Sequence, residues 1–182
     1  MFRYILKLLI IMLIVLPVYL LIRRPWREKS ARAWAEMAFV VFMVGLLALT
    51  FQGDYQSPAA MAESADRRIK SGVGVNLVPF RTIAAFFVHC SADIFLVNIV
   101  GNIVMFMPWG FGLTLLWKRK QRILSIALHS LALPVFIETC QLFIGRSVDV
   151  DDVILNFAGG CLGAALYFGV RRVASGVARL AR

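Results

Sequence analysis

The sequence predicts an all-α, polytopic membrane helix bundle with about five transmembrane helices and an interfacial or re-entrant segment in a long outer loop. Three observations predict it. Of 182 residues, 60% are hydrophobic and only 16% charged, whereas soluble domains carry about 25% charged residues. Mean hydropathy is +0.79, and the apolar residues form continuous blocks instead of the spaced stripe of a soluble amphipathic helix. The excess of Lys and Arg, a formal charge of +10, gathers in alternate loops, as it does in membrane proteins. Secreted, cytosolic and disordered classes are thereby excluded. The positive charge is a topology signal and not a nucleic-acid footprint, so no nucleic-acid partner is expected.

Each expected span is a block close to the ~20 residues that cross ~30 Å of hydrocarbon as helix. They run Tyr4 to Ile22, Trp34 to Phe51, Ile94 to Trp117, Ile123 to Ile144 and Val153 to Val170. A basic loop (Arg23 to Ala33) joins the first two, and a long polar loop (Gln52 to Asp93) joins the second and third. A basic turn (Lys118 to Arg122) and an acidic turn (Gly145 to Asp152) complete the connections. With the N-terminus outside, the inner side holds Arg23, Arg24, Arg27, Lys29, Arg32, Lys118, Arg119, Lys120, Arg122, Arg171, Arg172, Arg179 and Arg182 against Glu28 and Glu36. The outer cations are balanced by acids, with Glu138 left inside a span. Trp26, Trp34, Trp117 and Tyr167 toward the inner face, and Tyr4 and Tyr55 toward the outer one, fit interfacial anchoring. The expected location is therefore the bacterial cytoplasmic (inner) membrane, with a cytoplasmic C-terminus. An alternative reads the first block as a signal peptide, with Arg3 and Lys7 ahead of it and Ala33-Trp34-Ala35 imitating a cleavage site. That would export the Arg23 to Arg32 cluster, so an uncleaved span is the better reading. The chain divides into two N-terminal helices (1–52), the outer loop (53–93), a three-helix core (94–170) and a basic cytoplasmic tail (171–182).

A polar side chain in hydrocarbon costs on the order of 2.5–3.5 kcal/mol by insertion scales for charged groups, so each one in a span calls for a partner or a role. Asn98 and Asn102 stand one turn apart in the third span, ahead of Phe106, Pro108 and Gly110. Glu138 and Gln141 share a face of the fourth span near its outer end. Asp152 and Asn156 are one turn apart at the start of the fifth, and Gly159 and Gly163 continue the stripe as a GxxxG pair that admits a close helix neighbour. An oligomer through that pair is one expectation. The blander readings stand beside these. Asp149 is also a natural N-cap with Asp151 and Asp152 in the first helical turn, the amides also serve as interhelical hydrogen bonds, and Glu138 pairs with Arg146 or is protonated. The candidate catalytic residues are Glu138 and Asp152. The candidate binding residues are Asn76, Arg81, Asn98, Asn102, Gln141, Arg146, Asp149 and Asn156. His89 and Cys90 at the outer interface, and His129, have no third ligand at suitable spacing, so neither a metal nor a cofactor is expected. Cys90, Cys140 and Cys161 form no metal or redox motif. Nucleophile-elbow, Walker and dinucleotide fingerprints are missing, as is the opening of the membrane phosphatase signature.

Asn76-Leu77-Val78-Pro79-Phe80 precedes an apolar stretch, Ile83 to Val88, too short to span and expected to lie at the interface, since Pro79 disfavours helix at Val78. Taken with Asn98-Ile99-Val100-Gly101-Asn102, Phe106-Met107-Pro108-Trp109-Gly110-Phe111, Glu138-Thr139-Cys140-Gln141 and Arg146 through Asp152 to Asn156, it resembles the VanZ-like membrane protein family from Asn76 to about Val170. The first two spans carry no motif of it. The resemblance implies a membrane protein of four or five helices whose namesake is associated with resistance to teicoplanin-type glycopeptides. It brings no established reaction. Three functions are therefore expected in competition: an envelope protein acting on a glycopeptide or lipid-linked cell-wall precursor through an outward polar groove, an acid-base enzyme on a lipid- or polyprenyl-linked substrate, and a proton-linked transporter. Membrane lipids are partners in all three.

Overall fold

The computed structural model describes residues 2–24, 27, 30–53 and 56–174, with side chains from residue 13 onward. Trp26, Glu28, Lys29, Asp54, Tyr55, Arg179 and Arg182, and the side chains of Arg3, Tyr4 and Lys7, lie outside the described residues. The chain forms α1 (Phe2–Arg23), α2 (Ala31–Thr50), α3 (Pro58–Ser71), β1 (Val75–Asn76), α4 (Arg81–His89), α5 (Ala92–Leu116), α6 (Ile123–Phe143), β2 (Val148–Asp149) and α7 (Val150–Val173). Helices α2, α5, α6 and α7 are long and apolar enough to cross a membrane. Helix α1 occupies the first expected span, its described side chains forming an apolar segment over Leu13–Arg23. The exterior is correspondingly greasy, with Leu13, Leu21, Leu124, Leu128, Val135 and Leu162 exposed.

Local chemistry sets the ends. The Ser30 hydroxyl accepts from the Ala33 N–H at 3.1 Å and starts α2. Asp149 starts α7 by accepting from the Asp151 N–H at 2.9 Å, so the helix begins at Val150, three residues ahead of the expected span. Helix α3, in the long loop between α2 and α5, is an addition to the expectation. Ser57 caps it, Pro58 fills its first turn and Gly72 (φ 70°) closes it, with Glu63–Arg67 and Asp66–Lys70 pairs along its surface. Helix α5 runs through Pro108 and carries one π turn at Leu96–Val100.

Helices α5 and α7 form the spine. A Cβ on Gly159 would overlap the Ile103 carbonyl, one on Gly163 the Met107 carbonyl, and one on Gly110 the Gly160 carbonyl. Backbone therefore lies directly on backbone, and the Gly159/Gly163 stripe faces a helix of the same chain. Helix α6 meets Gly160 through Ser130, and α2 seats the Phe39 ring over Gly112. Leu46, Phe106 and Ile137 make the buried core between α2, α5 and α6. At the basic end, Arg23 and Arg32 both reach Glu36, at 2.5 and 2.8 Å, which ties α1 to α2. There too Gln121 donates to the hydroxyl of the buried Tyr167 at 3.0 Å and to the Thr114 carbonyl at 3.2 Å. His129 packs inside this end, its Nδ1 2.7 Å from the Ser125 carbonyl and its Nε2 2.7 Å from the Lys120 ammonium.

Candidate functional site

The acidic turn does two separate jobs. Side chains 149 and 151 face the segment of residues 75–83, and side chain 152 faces the bundle. Phe80, the N-cap residue ahead of α4, lies in the left-handed region (φ 66°) and gives the helix no side-chain cap. The orphan amides there are met from across the fold. Asp151, 0% exposed, accepts from the N–H groups of Phe80 (2.5 Å), Thr82 (2.7 Å) and Ile83 (3.0 Å). Asp149 accepts from Asn76 Nδ2 at 2.8 Å and Thr82 Oγ1 at 2.5 Å, and β1 pairs with β2 in parallel, Val75 on Val148 and Asn76 on Asp149. Arg68 adds a tie from α3 to the Leu142 and Gly74 carbonyls at 3.2 and 3.0 Å. Asn76 and Asp149, expected as binding residues, are thus engaged in a clamp that docks residues 75–83 onto the start of α7. Asp151, weighed in the sequence only as a first-turn charge, is its most buried member.

Beside the clamp, a cavity of about 130 Å³ opens between the C-terminal end of α2, the first half of α5, the end of α6 and the start of α7. Its lining brings together Asn102, Glu138, Gln141, Arg146, Asp152 and Asn156 from the expected site. Thr50, Ser147, Leu49, Met105, Phe106 and Ile137 complete it. Phe106 and Ile137, both buried, belong also to the apolar core beneath. Asn98 and Arg81 do not line it: Asn98 donates to the Ile94 carbonyl at 2.8 Å across the π turn, and Arg81 is exposed at the start of α4.

Burial grades from mouth to depth. Arg146 and Ser147 are exposed, Asp152 and Asn102 half-buried, and Glu138 (5%), Gln141 (6%) and Asn156 (4%) buried. Asn102 Nδ2 donates to the Asn98 carbonyl at 2.7 Å and to Asp152 Oδ1 at 3.2 Å. Gln141 Nε2 donates to the Thr50 carbonyl, freed by the end of α2, at 3.1 Å. A Glu138–Arg146 pair, one of the alternatives the sequence left open, is not among the ion pairs of the described residues. Glu138 Oε2 instead accepts the Asp149 backbone N–H at 3.0 Å, and Arg146 Nη1 donates to the Gln52 carbonyl at 3.3 Å. Two carboxylates therefore share one cavity with a guanidinium at its rim and three carboxamides between. Asn156 Oδ1 is shielded from solvent and has no donor among the described residues. Such a site can hold a polar group that donates hydrogen bonds, or pass a proton to or from one. Among the described residues no group of three or more His, Cys, Asp or Glu is placed to hold a metal ion.

Thr50 and Ser147 were not singled out in the sequence. Thr50 ends an apolar block, where a threonine reads as ordinary helix, and what it offers the cavity wall includes a backbone carbonyl, which no side-chain pattern reveals.

A family model described as VanZ/LLP1 matches residues 39–172, which extends the resemblance upstream of Asn76 through most of α2. No curated protein and no solved structure matches.

Proposed function

We propose, since this chain belongs to the VanZ/LLP1 family, that it is an integral protein of the bacterial cytoplasmic membrane whose cavity opens to the outer face and acts on lipid-linked envelope material, contributing to resistance to teicoplanin-type glycopeptides. The N-terminus is outside and the C-terminus cytoplasmic in this reading. The observation that carries it is the cavity itself: Glu138, Gln141 and Asn156 are buried beside Asp152 at one end of an otherwise apolar bundle. Burying such groups is expensive unless they are paired or used, and polar groups inside spans mark functional paths. The opposite, basic end supports the orientation, because Arg23, Arg32, Lys118, Arg119, Lys120, Arg122, Arg171 and Arg172 gather there.

The test is a deletion strain challenged with teicoplanin, vancomycin and an unrelated envelope stress, complemented with wild type, Glu138→Gln or Asp152→Asn at matched membrane levels. The reading expects wild type to restore resistance and both variants to fail. Full rescue by both variants refutes it, since the cavity would then be packing. Ser147→Cys in a cysteine-free background should react with a membrane-impermeant maleimide added outside intact cells. Labelling only after lysis refutes the orientation.

A second reading is favoured by the two carboxylates of one cavity: a membrane enzyme in which Glu138 or Asp152 serves as general acid or base on a lipid- or polyprenyl-linked substrate. It is separated by turnover, because a binding protein leaves the lipid-linked compound chemically unchanged when purified protein and compound are incubated together.

A further inference from the structure

Counting donors and acceptors in the cavity shows which kind of group it lacks. Asn102 uses its amide on the Asn98 carbonyl and Asp152, Gln141 donates once, to Thr50, and the Thr50 hydroxyl donates back into α2 at the Leu46 carbonyl, 3.0 Å away. The Asn156 amide and the Ser147 hydroxyl donate to nothing among the described residues, but all these donors are neutral, whereas the two carboxylates beside them are negative and only half used. Glu138 uses only Oε2 and Asp152 only Oδ1, so Glu138 Oε1, Asp152 Oδ2 and Asn156 Oδ1 accept nothing among the described residues. Asn156 is the independent mark of a missing partner, because a buried amide oxygen without a donor forfeits its hydration with nothing in return. The open acceptors lie on the inner side of the cavity. The one guanidinium, Arg146, is exposed at the mouth with one of its five N–H donors occupied.

Resting on the reading of this cavity as the working site, we propose that its occupant is the head of a phospholipid bearing a primary ammonium, with the ammonium between Glu138, Asp152 and Asn156 and the phosphate against Arg146. An ammonium carries three donors on a compact positive charge, which suits the open oxygens of two carboxylates and the orphaned Asn156 Oδ1, with Asn102 Oδ1 and Gln141 Oε1 as further open acceptors in the lining. A quaternary choline head has the charge without the donors. A glycerol head has donors without the charge. The volume of about 130 Å³ holds a few water-sized groups and no acyl chain, and Phe106 and Ile137 close its floor. The chains then lie outside the bundle, along exposed apolar side chains such as Leu49 and Val104.

The experiment is native mass spectrometry of the full-length protein in detergent with an equimolar mixture of phosphatidylethanolamine, phosphatidylglycerol and phosphatidylcholine of identical chains. Wild type should carry the ethanolamine lipid over either other lipid by about tenfold, the scale of a charge-assisted contact. Glu138→Gln combined with Asp152→Asn should bring the ratio to parity, and Arg146→Gln should lower all three adducts alike. Should the double variant fail to fold, Asn156→Leu takes its place and should reduce the preference while keeping volume. Parity in wild type, or an unchanged preference in the double variant or in Asn156→Leu, overturns the proposal. Soluble O-phosphoethanolamine is added as competitor. Displacement of the lipid at equal concentration assigns the site to the free head, and no displacement assigns it to the membrane lipid. The two readings fail separately. Parity in wild type with drug protection lost in Glu138→Gln overturns the ligand and keeps the site, whereas amine-lipid preference with full protection in both variants keeps the ligand and overturns the function.

Discussion

Replacing Asp151 with alanine should free the segment around α4 while leaving the bundle assembled. The carboxylate accepts three backbone N–H bonds, from Phe80, Thr82 and Ile83, and is 0% exposed. A hydrogen bond to a charged acceptor contributes about 1.5–3 kcal/mol net. Water reaches part of the freed segment, since Phe80 itself is exposed, so the lower end applies and three bonds amount to about 4 kcal/mol. That corresponds to roughly a thousandfold rise in the opening constant of residues 76–89. The remaining ties, β1 on β2 and Asn76 and Thr82 on Asp149, limit how far the segment travels. Hydrogen exchange on the detergent-purified protein reads this directly. The amides of Phe80, Thr82 and Ile83 should lose protection by two to three orders of magnitude, and those of α5 and α7 below Asn156 should not change. Asp151→Asn should lie between, because its amide keeps one acceptor and sets N–H against N–H on the other side. Exchange at these three amides within about threefold of wild type would show that the carboxylate does not hold the segment.

Other substitutions test the spine, the basic end and the caps. Gly159→Ala and Gly163→Ala each drive a methyl into a carbonyl of α5 and should cost at least the ~1–3 kcal/mol typical of overpacking, seen as lost monodisperse protein on size exclusion. Gly112→Ala meets a side chain, the Phe39 ring, before any backbone, and the same assay should show a smaller loss. Glu36→Gln removes the shared partner of Arg23 and Arg32, and protease accessibility of the α1–α2 loop should rise with little change in overall melting temperature. Ser30→Ala should cost about 1 kcal/mol as a lost N-cap, read by thermal unfolding.

The spans were legible because hydrocarbon imposes one demand on every residue of a block, and composition alone meets it. Helix α3 was not read, since its apolar stripe is only Met61, Ala65 and Ile69 in a charged segment far too polar to be a span, yet its punctuation stood in plain view as Ser57-Pro58 at one end and Gly72 at the other. The cavity side of the site was legible for a related reason: Asn102, Glu138, Gln141, Asp152 and Asn156 are conspicuous in apolar blocks. The clamp was not. Choosing between Asp149 as cap, ligand or tie requires knowing that Asn76 and Thr82 return to it across about seventy residues. Asp149 serves as cap and tie together. Asp151 looked like dipole compensation because the helix that needs it lies 71 residues upstream at Phe80.

Three carboxylates at the head of α7 serve two clients. Residues 149 and 151 serve the segment of residues 75–83, 152 serves the cavity, and the Asp149 amide itself is donated to Glu138. Each residue added to a helix turns everything beyond it by about 100°. A single insertion between Asp149 and Asp151 would therefore aim a clamp carboxylate at the cavity and the cavity carboxylate elsewhere. This stretch should be among the least tolerant of length change in the chain, whereas the approach to α3 around Gln56, exposed and without such duties, should accept extra residues freely.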